Sequence, residues 1–178
     1  MKGNTKHIFF FLFSVLFFIV AFAQTKNEQI KSIRKKFETI NRDTTLRKVT
    51  LENEEFLINM PDGGGELTGY YENKEIKKIY EWIGLSNGIS IKEFYFDKGQ
   101  LIFVFEKFDS FVFDVKKNEF DLTKTKTIFE GRYYFNNIKL FSKSTKGDKS
   151  LAAQEESTEN GLIERASENL ETLNKKAK

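Results

Sequence analysis

Acidic side chains are the residues of this sequence best suited to catalysis. The 178 residues contain no cysteine and a single histidine, His7, which lies in an apolar N-terminal segment. Thiol nucleophiles, Ser-His-Asp triads and Cys/His zinc sites are therefore excluded for the chain that follows this segment. Carboxylate pairs remain, and glycoside hydrolysis needs two of them about 5 to 9 Å apart. The candidates are Glu93 and Glu130, beside aromatic residues, and Asp62 and Glu66.

Asp62 and Glu66 flank three consecutive glycines, Gly63 to Gly65. A phosphate-binding loop would continue into a helix and supply a lysine, whereas the "ELTGYY" that follows is typical of a strand. A calcium loop would need more oxygen ligands at alternating positions. We therefore expect neither a metal nor a cofactor, but an ordered turn or a mobile lip beside a binding face. In a turn, at least one of the three glycines should gain stability on replacement by alanine and another should lose it.

Aromatic side chains form a second candidate site. The predicted ligand-binding residues are Asp62, Glu66, Tyr70, Tyr71, Trp82, Tyr95, Tyr133 and Tyr134. Because successive strand residues point to opposite faces, Tyr70 should face away from Tyr71, and Tyr133 away from Tyr134. Rings on one face would pack a core, which is the usual role of aromatic residues in strands. Rings on the other face would form a platform for glycan, peptide or a partner protein.

The N-terminus has the features of a secretory leader. Lys2 and Lys6 precede an uncharged run from Ile8 to Ala23, and Ala21-Phe22-Ala23 has the pattern of a cleavage site. We predict cleavage between Ala23 and Gln24. The run is shorter than the ~20 residues of a spanning helix, and an uncleaved anchor is the alternative. No cysteine is present for a lipid anchor, so a soluble periplasmic or secreted protein without stable membrane insertion is expected.

The predicted exported chain has the size of one domain. Removing residues 1–23 would leave 155 residues, with 27 Lys and Arg against 26 Asp and Glu. A net charge of +1 predicts no nucleic-acid partner and no overall attraction to an anionic membrane. Composition divides the chain into a domain at residues 24–141 and a C-terminal part at residues 142–178. This second part is predicted to be a polar linker followed by an amphipathic helical tail.

Helices are predicted near both ends of the exported chain. "TKNE", Thr25 to Glu28, is a capping box, and Ile30, Ile33 and Phe37 follow at helical spacing. A second apolar stripe runs from Leu162 to Leu173. Because this second stripe is narrow, the tail helix could dock on the domain or remain mobile.

Between the helices the sequence repeats one pattern three times. "GYYENKEIKKI" from Gly69, "EFYFDKGQLIF" from Glu93 and "RYYFNNIKLF" from Arg132 each contain an aromatic pair, a polar turn and alternating aliphatic residues. The predicted turn residues are Asn73, Asp97-Lys98-Gly99 and Asn136-Asn137. Glu93 and Arg132 occupy equivalent positions, so they are predicted to form a cross-strand ion pair if their strands are neighbours. An insert, from Lys107 to Lys126, separates the last two repeats.

These segments resemble MORN-type hairpin repeats and an uncharacterised group of small exported bacterial proteins. The resemblance rests on "DGGGELTGYY", "EWIGLS", "EFYFDKGQLIFVFE" and "FEGRYYFNNIKL" and extends from about Ile30 to Phe141. MORN-like repeats mostly mediate binding or extend a sheet, so the resemblance implies a binding role. The uneven repeat spacing favours a closed α+β domain, with an N-terminal helix packed on an antiparallel β-meander and a C-terminal helical tail.

The function predicted from the sequence is that of an exported, non-catalytic binding module of the cell envelope. Its expected partner is an envelope protein or glycan. A carboxylate-based hydrolase acting on envelope glycan or peptide is the alternative, and a structural envelope component is a third possibility. A deep pocket with two carboxylates would favour the hydrolase, and a flat aromatic face would favour the binding module.

Overall fold

The structure, a computed structural model, describes residues 25–148 and 157–176. The predicted leader and its cleavage site at Ala23 and Gln24 lie outside these residues. A helix, α1, covers residues 25–42. It is followed by β1 (Arg47–Glu52), a 3-10 turn (Asn53–Glu55), β2 (Gly65–Glu72), β3 (Glu75–Leu85), β4 (Gly88–Asp97), β5 (Gln100–Asp114), β6 (Glu119–Asn136), β7 (Lys139–Gly147) and α2 (Glu159–Lys176).

The seven strands form one antiparallel sheet in which each strand pairs with its neighbours in sequence. Three of its hairpins turn at the predicted positions. Positive φ angles occur there at Asn73, at Lys98 and Gly99, and at Asn137 and Ile138. Asparagine and glycine adopt this conformation more easily than other residues, so they determine where the strands reverse. With α1 and α2, the meander confirms the predicted α+β fold.

The seventh strand extends past the predicted domain boundary at Phe141. β7 ends at Gly147, and Ser142, Ser144 and Lys146 pair with β6. The first part of the segment predicted as a polar linker is therefore an edge strand. Its polar composition suits that position, because lysines on an edge strand oppose pairing with other chains.

The predicted insert between Lys107 and Lys126 is the outer part of the β5–β6 hairpin. β4 begins opposite Ser110, and β7 ends opposite Phe129. Residues 112–126 therefore extend beyond the neighbouring strands as a two-stranded ribbon, called the arm below.

The C-terminal helix covers one face of the sheet, called the inner face. Leu162, Ala166 and Leu173 of α2 are at most 3% exposed. They pack against Leu51, Leu67, Tyr71, Ile76, Ile79, Phe94, Phe96, Leu101, Val104, Tyr133 and Phe135. Burial of each large aliphatic side chain contributes about 1.5 to 3 kcal/mol, which is enough to hold a helix with a narrow apolar stripe. The tail helix therefore docks, and the opposite side of the sheet is called the outer face.

The described residues up to Thr39 belong to a compact unit of their own. Within it Ile33 is buried, and Lys31 and Glu28 form an exposed pair at 3.4 Å. Across residues 25–148 and 157–176, no helix has both the length and the apolar character needed to cross a membrane.

Candidate functional site

The glycine segment is an ordered turn that binds the backbone of β3. Gly63 N–H donates to Gly84 O, and Gly84 N–H donates to Gly64 O, both at 2.9 Å. Gly64 has a φ of +74°. Gly65 N–H donates to the side-chain oxygen of Asn53 at 3.1 Å. The glycines therefore serve a positive φ and a close approach of two backbones.

The two acids that flank the glycines have different surroundings. Asp62 is exposed in the loop, whereas Glu66 is partly buried as the second residue of β2. In the described part of the chain, no cluster of three or more Asp, Glu, His or Cys side chains is arranged to hold a metal. Glu66 lies opposite Trp82, beside aromatic rings of the outer face.

Four residues of β2 and β3 form a patch on the outer face, called the outer patch. They are Glu66, Tyr70, Tyr80 and Trp82. Strand alternation places Glu66 and Tyr70 on one side of β2, and Glu66 lies directly opposite Trp82 of β3. All four are partly buried, so each keeps some surface in contact with solvent. The patch brings together three of the predicted ligand-binding residues and Tyr80, which was not among them.

Two carboxylates affect the phenols of the outer patch. Burial raises the pKa of Tyr80, and the charges of Glu66 and Glu93 raise it further. Burial, Glu66 and Glu93 likewise raise the pKa of Tyr70. Both phenols therefore remain protonated at neutral pH and can donate a hydrogen bond. Within the described residues, Glu66 accepts a hydrogen bond from Thr68 Oγ1 at 2.9 Å and has no ion pair.

The other four predicted ligand-binding rings are buried. Tyr71 and Tyr133 belong to the inner-face core, and each is 3% exposed. Tyr95 and Tyr134 pack on either side of Phe103, with ring centroids 5.6 and 5.0 Å from it. Their exposure is 1% and 3%, so they do not present a surface to a ligand. These rings have the packing role that is usual for aromatic residues in strands.

Glu93 and Arg132 do not meet the condition for their predicted ion pair. They lie on β4 and β6, and β5 runs between these strands. Phe105 of β5 is opposite both of them, so they are two strand spacings apart, about 10 Å. Glu93 instead accepts a hydrogen bond from Lys78 Nζ at 2.7 Å, and Arg132 pairs with Glu130 at 3.0 Å. The repeat identified equivalent positions, but equivalent strands are not adjacent.

Three charged residues, called the charged row, cross the inner face beneath α2. Glu81 of β3 lies opposite Lys92 of β4, which lies opposite Glu106 of β5. Lys92 Nζ is 3.9 Å from an oxygen of each glutamate. Both glutamates are 2% exposed. Because buried charges are costly unless they are neutralised, the row requires further partners.

α2 and the residues before it supply three of these partners, and Tyr133 of β6 donates its hydroxyl to Glu106 Oε2 at 3.2 Å. Arg165 Nε donates to Glu81 Oε2 at 2.6 Å, and Asn169 Nδ2 donates to the same oxygen at 2.7 Å. Ser157 Oγ donates to Glu106 Oε1 at 2.9 Å. These directional bonds specify one position of α2 on the sheet, which apolar contacts alone define less sharply.

The glutamates of the charged row interrupt the apolar side of their strands. In β3, Glu81 lies two residues after Ile79 and points to the same face. In β5, Glu106 likewise lies two residues after Val104. An acid at an apolar strand position indicates a buried partner, so the sequence contains a signal for both glutamates. No comparable signal identifies Arg165, because its role depends on how α2 docks.

An open groove of about 630 Å³ lies beside the α2 end of the charged row. Residues 54–59 line one side, and α2 residues including Arg165 and Asn169 line the other. The Arg165 side chain, whose Nε binds Glu81, is 34% exposed, so it is partly accessible to solvent.

Comparisons with known proteins found no relative of this chain. No protein-family model, curated protein or solved structure matches it. The MORN-like resemblance therefore has no homologue to support or oppose it. What the fold and the surface define is an α+β domain with a polar, aromatic outer patch and a protruding arm.

Proposed function

We propose that the protein is an exported, non-catalytic binding module of the cell envelope that recognises glycan through the outer patch. One observation carries this proposal. Three partly exposed aromatic rings lie beside a carboxylate that has no ion pair among the described residues. All four groups occupy one face of two neighbouring strands.

The chemistry of the outer patch suits a sugar ring. A pyranose has an apolar face of C–H groups and a rim of hydroxyls. The rings of Tyr80 and Trp82 would stack on the apolar face, because aromatic side chains combine a broad apolar surface with a polar end. Glu66 would accept hydrogen bonds from hydroxyls, and the phenols would donate or accept them. Few polar groups on an apolar surface are typical of a specific small-ligand site.

The N-terminus supports a role in the envelope. The charged start, the apolar run from Ile8 and the small residues at Ala21 and Ala23 are the signals of an exported chain. Envelope glycan would be within reach of a protein released on that side of the membrane.

Trp82 provides a direct test, because it is the only tryptophan of the chain. We expect soluble fragments of envelope glycan to change its fluorescence in a saturable way. Tyr80→Ala should weaken binding by about tenfold, which corresponds to about 1.4 kcal/mol, because the stacking surface is lost. Tyr80→Phe keeps the ring and should weaken binding much less. Glu66→Gln should also weaken binding, because a charged acceptor binds hydroxyls more strongly than an amide.

Phe120→Ala is the matched control, since Phe120 is an exposed ring on the arm and not part of the outer patch. Its removal should leave fragment binding unchanged. Trp82 emission that does not respond to the fragments, or binding that survives Tyr80→Ala, would contradict glycan recognition by this patch.

The same mixtures distinguish the hydrolase alternative from the binding module. Glu66 and Glu93 lie close enough to Tyr80 to raise its pKa, so they are the acids that a bound glycan would meet. A hydrolase would shorten the fragments, and Glu66→Gln or Glu93→Gln would stop the shortening. A binding module would return fragments of unchanged mass, which mass spectrometry can verify.

A further inference from the structure

The arm carries most of the exposed large apolar side chains of the described residues. Eight such side chains are exposed, and five of them are on the arm: Val112, Phe113, Val115, Phe120 and Leu122, at 39% to 83% exposure. The rings of Phe113 and Phe120 lie opposite each other, 5.3 Å apart and edge to face. An apolar cluster on a protruding hairpin indicates an interaction surface.

The ionic groups of the arm leave an excess of available lysines. Its four lysines face three acids. Asp121 pairs with Lys124 at 2.8 Å. Asp114 is directed at the turn, where its Oδ1 accepts the backbone N–H groups of residues 116 and 117 at 2.9 and 3.3 Å. In the described residues, Lys116, Lys117 and Lys126 have no ion pair, and of the three acids of the arm Asp114 and Glu119 have none either.

We propose that the arm docks reversibly on an anionic lipid surface. Its apolar side chains enter the interface, and Lys116, Lys117 and Lys126 contact the headgroups. The net charge of the arm is only +1, equal to that predicted for the exported chain, so the proposed attraction depends on the three lysines that have no ion pair among the described residues. The inference is independent of glycan recognition, because the outer patch and the arm share no residue.

The distribution of apolar groups favours a lipid surface over a protein partner. Val112 and Phe113 are successive strand residues and point to opposite faces of the ribbon. Both are more than 40% exposed. A rigid partner surface would cover one face of the ribbon and leave the other in water. A fluid interface surrounds both faces and places cations at headgroup level. This is interfacial docking, in keeping with described helices that do not span a membrane.

Sedimentation with lipid vesicles tests the proposal. The chain from Gln24 to Lys178 is mixed with vesicles of phosphatidylcholine, alone or with phosphatidylglycerol, so that the apolar leader does not contribute. We expect binding to the anionic vesicles at least tenfold tighter than to the neutral ones, and weaker binding at high salt. Lys116→Glu with Lys117→Glu should reduce binding more than tenfold, because each lysine near the surface is worth about fivefold. Val115→Ser with Leu122→Ser should also reduce it at least tenfold.

The matched controls are Lys74→Glu and Ile138→Ser, which change exposed residues in the turns at the opposite end of the sheet. They should bind vesicles like the unchanged chain, and melting temperatures will confirm that every variant is folded. Equal binding to neutral and anionic vesicles, or full binding by the lysine variant, would overturn the proposal. Absence of vesicle binding together with arm-dependent self-association in the ultracentrifuge would overturn it in favour of a second copy of the chain.

Discussion

Gly63 and Gly84 lie backbone against backbone, joined by a hydrogen bond from Gly63 N–H to Gly84 O at 2.9 Å. A Cβ on Gly63 would come within 2.8 Å of Gly84 Cα, and a Cβ on Gly84 would approach Gly63 Cα equally closely. Main-chain atoms cannot turn aside as a side chain can. The close approach joins the glycine segment to β3 and explains why residues without side chains occupy both positions.

Gly63→Ala and Gly84→Ala are each predicted to destabilise the protein by about 1 to 3 kcal/mol, because overpacking forces backbone shifts. Gly64→Ala should also destabilise it, because a φ of +74° strains a residue with a Cβ. Urea unfolding measures these changes as a lower free energy of unfolding at an unchanged m value.

Two other glycines distinguish the cost of a positive φ from the cost of a steric clash. Gly99 also has a φ of +74°, but a Cβ added there would meet no atom within 4 Å, so Gly99→Ala measures the cost of φ alone. At Gly65 the close atoms are the side-chain ends Leu57 Cδ1 at 2.7 Å and Phe56 Cζ at 2.9 Å, which can move, so a smaller loss is expected. The structure favours a loss at each of the three glycines over the gain expected from the sequence for one of them, because none combines a negative φ with open space. A gain for Gly63→Ala would refute this account.

Arg165→Met is predicted to lower the free energy of unfolding by about 1 to 3 kcal/mol. The change leaves the buried carboxylate of Glu81 with fewer hydrogen-bond donors, and an unsatisfied buried charge is costly. The double variant with Glu81→Leu and Arg165→Met should lose less free energy of unfolding than the sum of the losses of the two single variants. Removing both partners avoids the uncompensated charge that each single change creates. A double-mutant cycle in urea measures this coupling.

Lys175→Met is the matched control for the helix. Lys175 forms an exposed pair with Glu171 at 2.8 Å on the same helix, and such solvent-exposed pairs contribute little to stability. Equal losses from Arg165→Met and Lys175→Met would mean that the charged row does not hold α2.

Local signals in the sequence determine much of the fold, whereas contacts between distant residues determine the candidate site. Asn73 and Gly99 mark hairpin turns because their φ angles are a local property of the chain. Tyr70 and Tyr71 separate onto two faces because strand alternation is also local. The pairing of Glu81 with Arg165 depends on where α2 docks, 84 residues away. No pattern within either element contains that information.

The separation of Glu93 from Arg132 predicts additive mutational effects. Glu93→Gln and Arg132→Gln should add within about 0.3 to 0.5 kcal/mol, because the strand between them prevents direct contact. Glu93→Gln and Lys78→Met should be non-additive, since Lys78 Nζ donates to Glu93 Oε1 at 2.7 Å. Thermal unfolding of the two sets of variants gives the coupling energies. Coupling between Glu93 and Arg132 without coupling between Glu93 and Lys78 would show that Glu93 pairs with Arg132 and not with Lys78.

Tyr95 should make stability fall at alkaline pH. Its hydroxyl lies 2.7 Å from Glu93 Oε2 and 3.0 Å from Asn41 Oδ1. Burial raises the pKa of Tyr95 far above its usual value, and the charge of Glu93 and the hydrogen bond to it raise the pKa further. In the unfolded chain the phenol loses its proton near pH 10. The contribution of Tyr95 to the free energy of unfolding is therefore complete below about pH 10 and is lost as pH rises above that value.

Each pH unit above that point should cost about 1.4 kcal/mol from this single proton, for as long as the folded phenol stays protonated. Tyr95→Phe removes the titrating group, so the difference in unfolding free energy between it and the unchanged protein should narrow as pH rises. The control is Tyr134→Phe, which alters a similarly buried ring on the other side of Phe103. Urea unfolding at a series of alkaline pH values gives the measurement. A difference for Tyr95→Phe that stays constant with pH would show that Tyr95 ionises equally in the folded and unfolded chains.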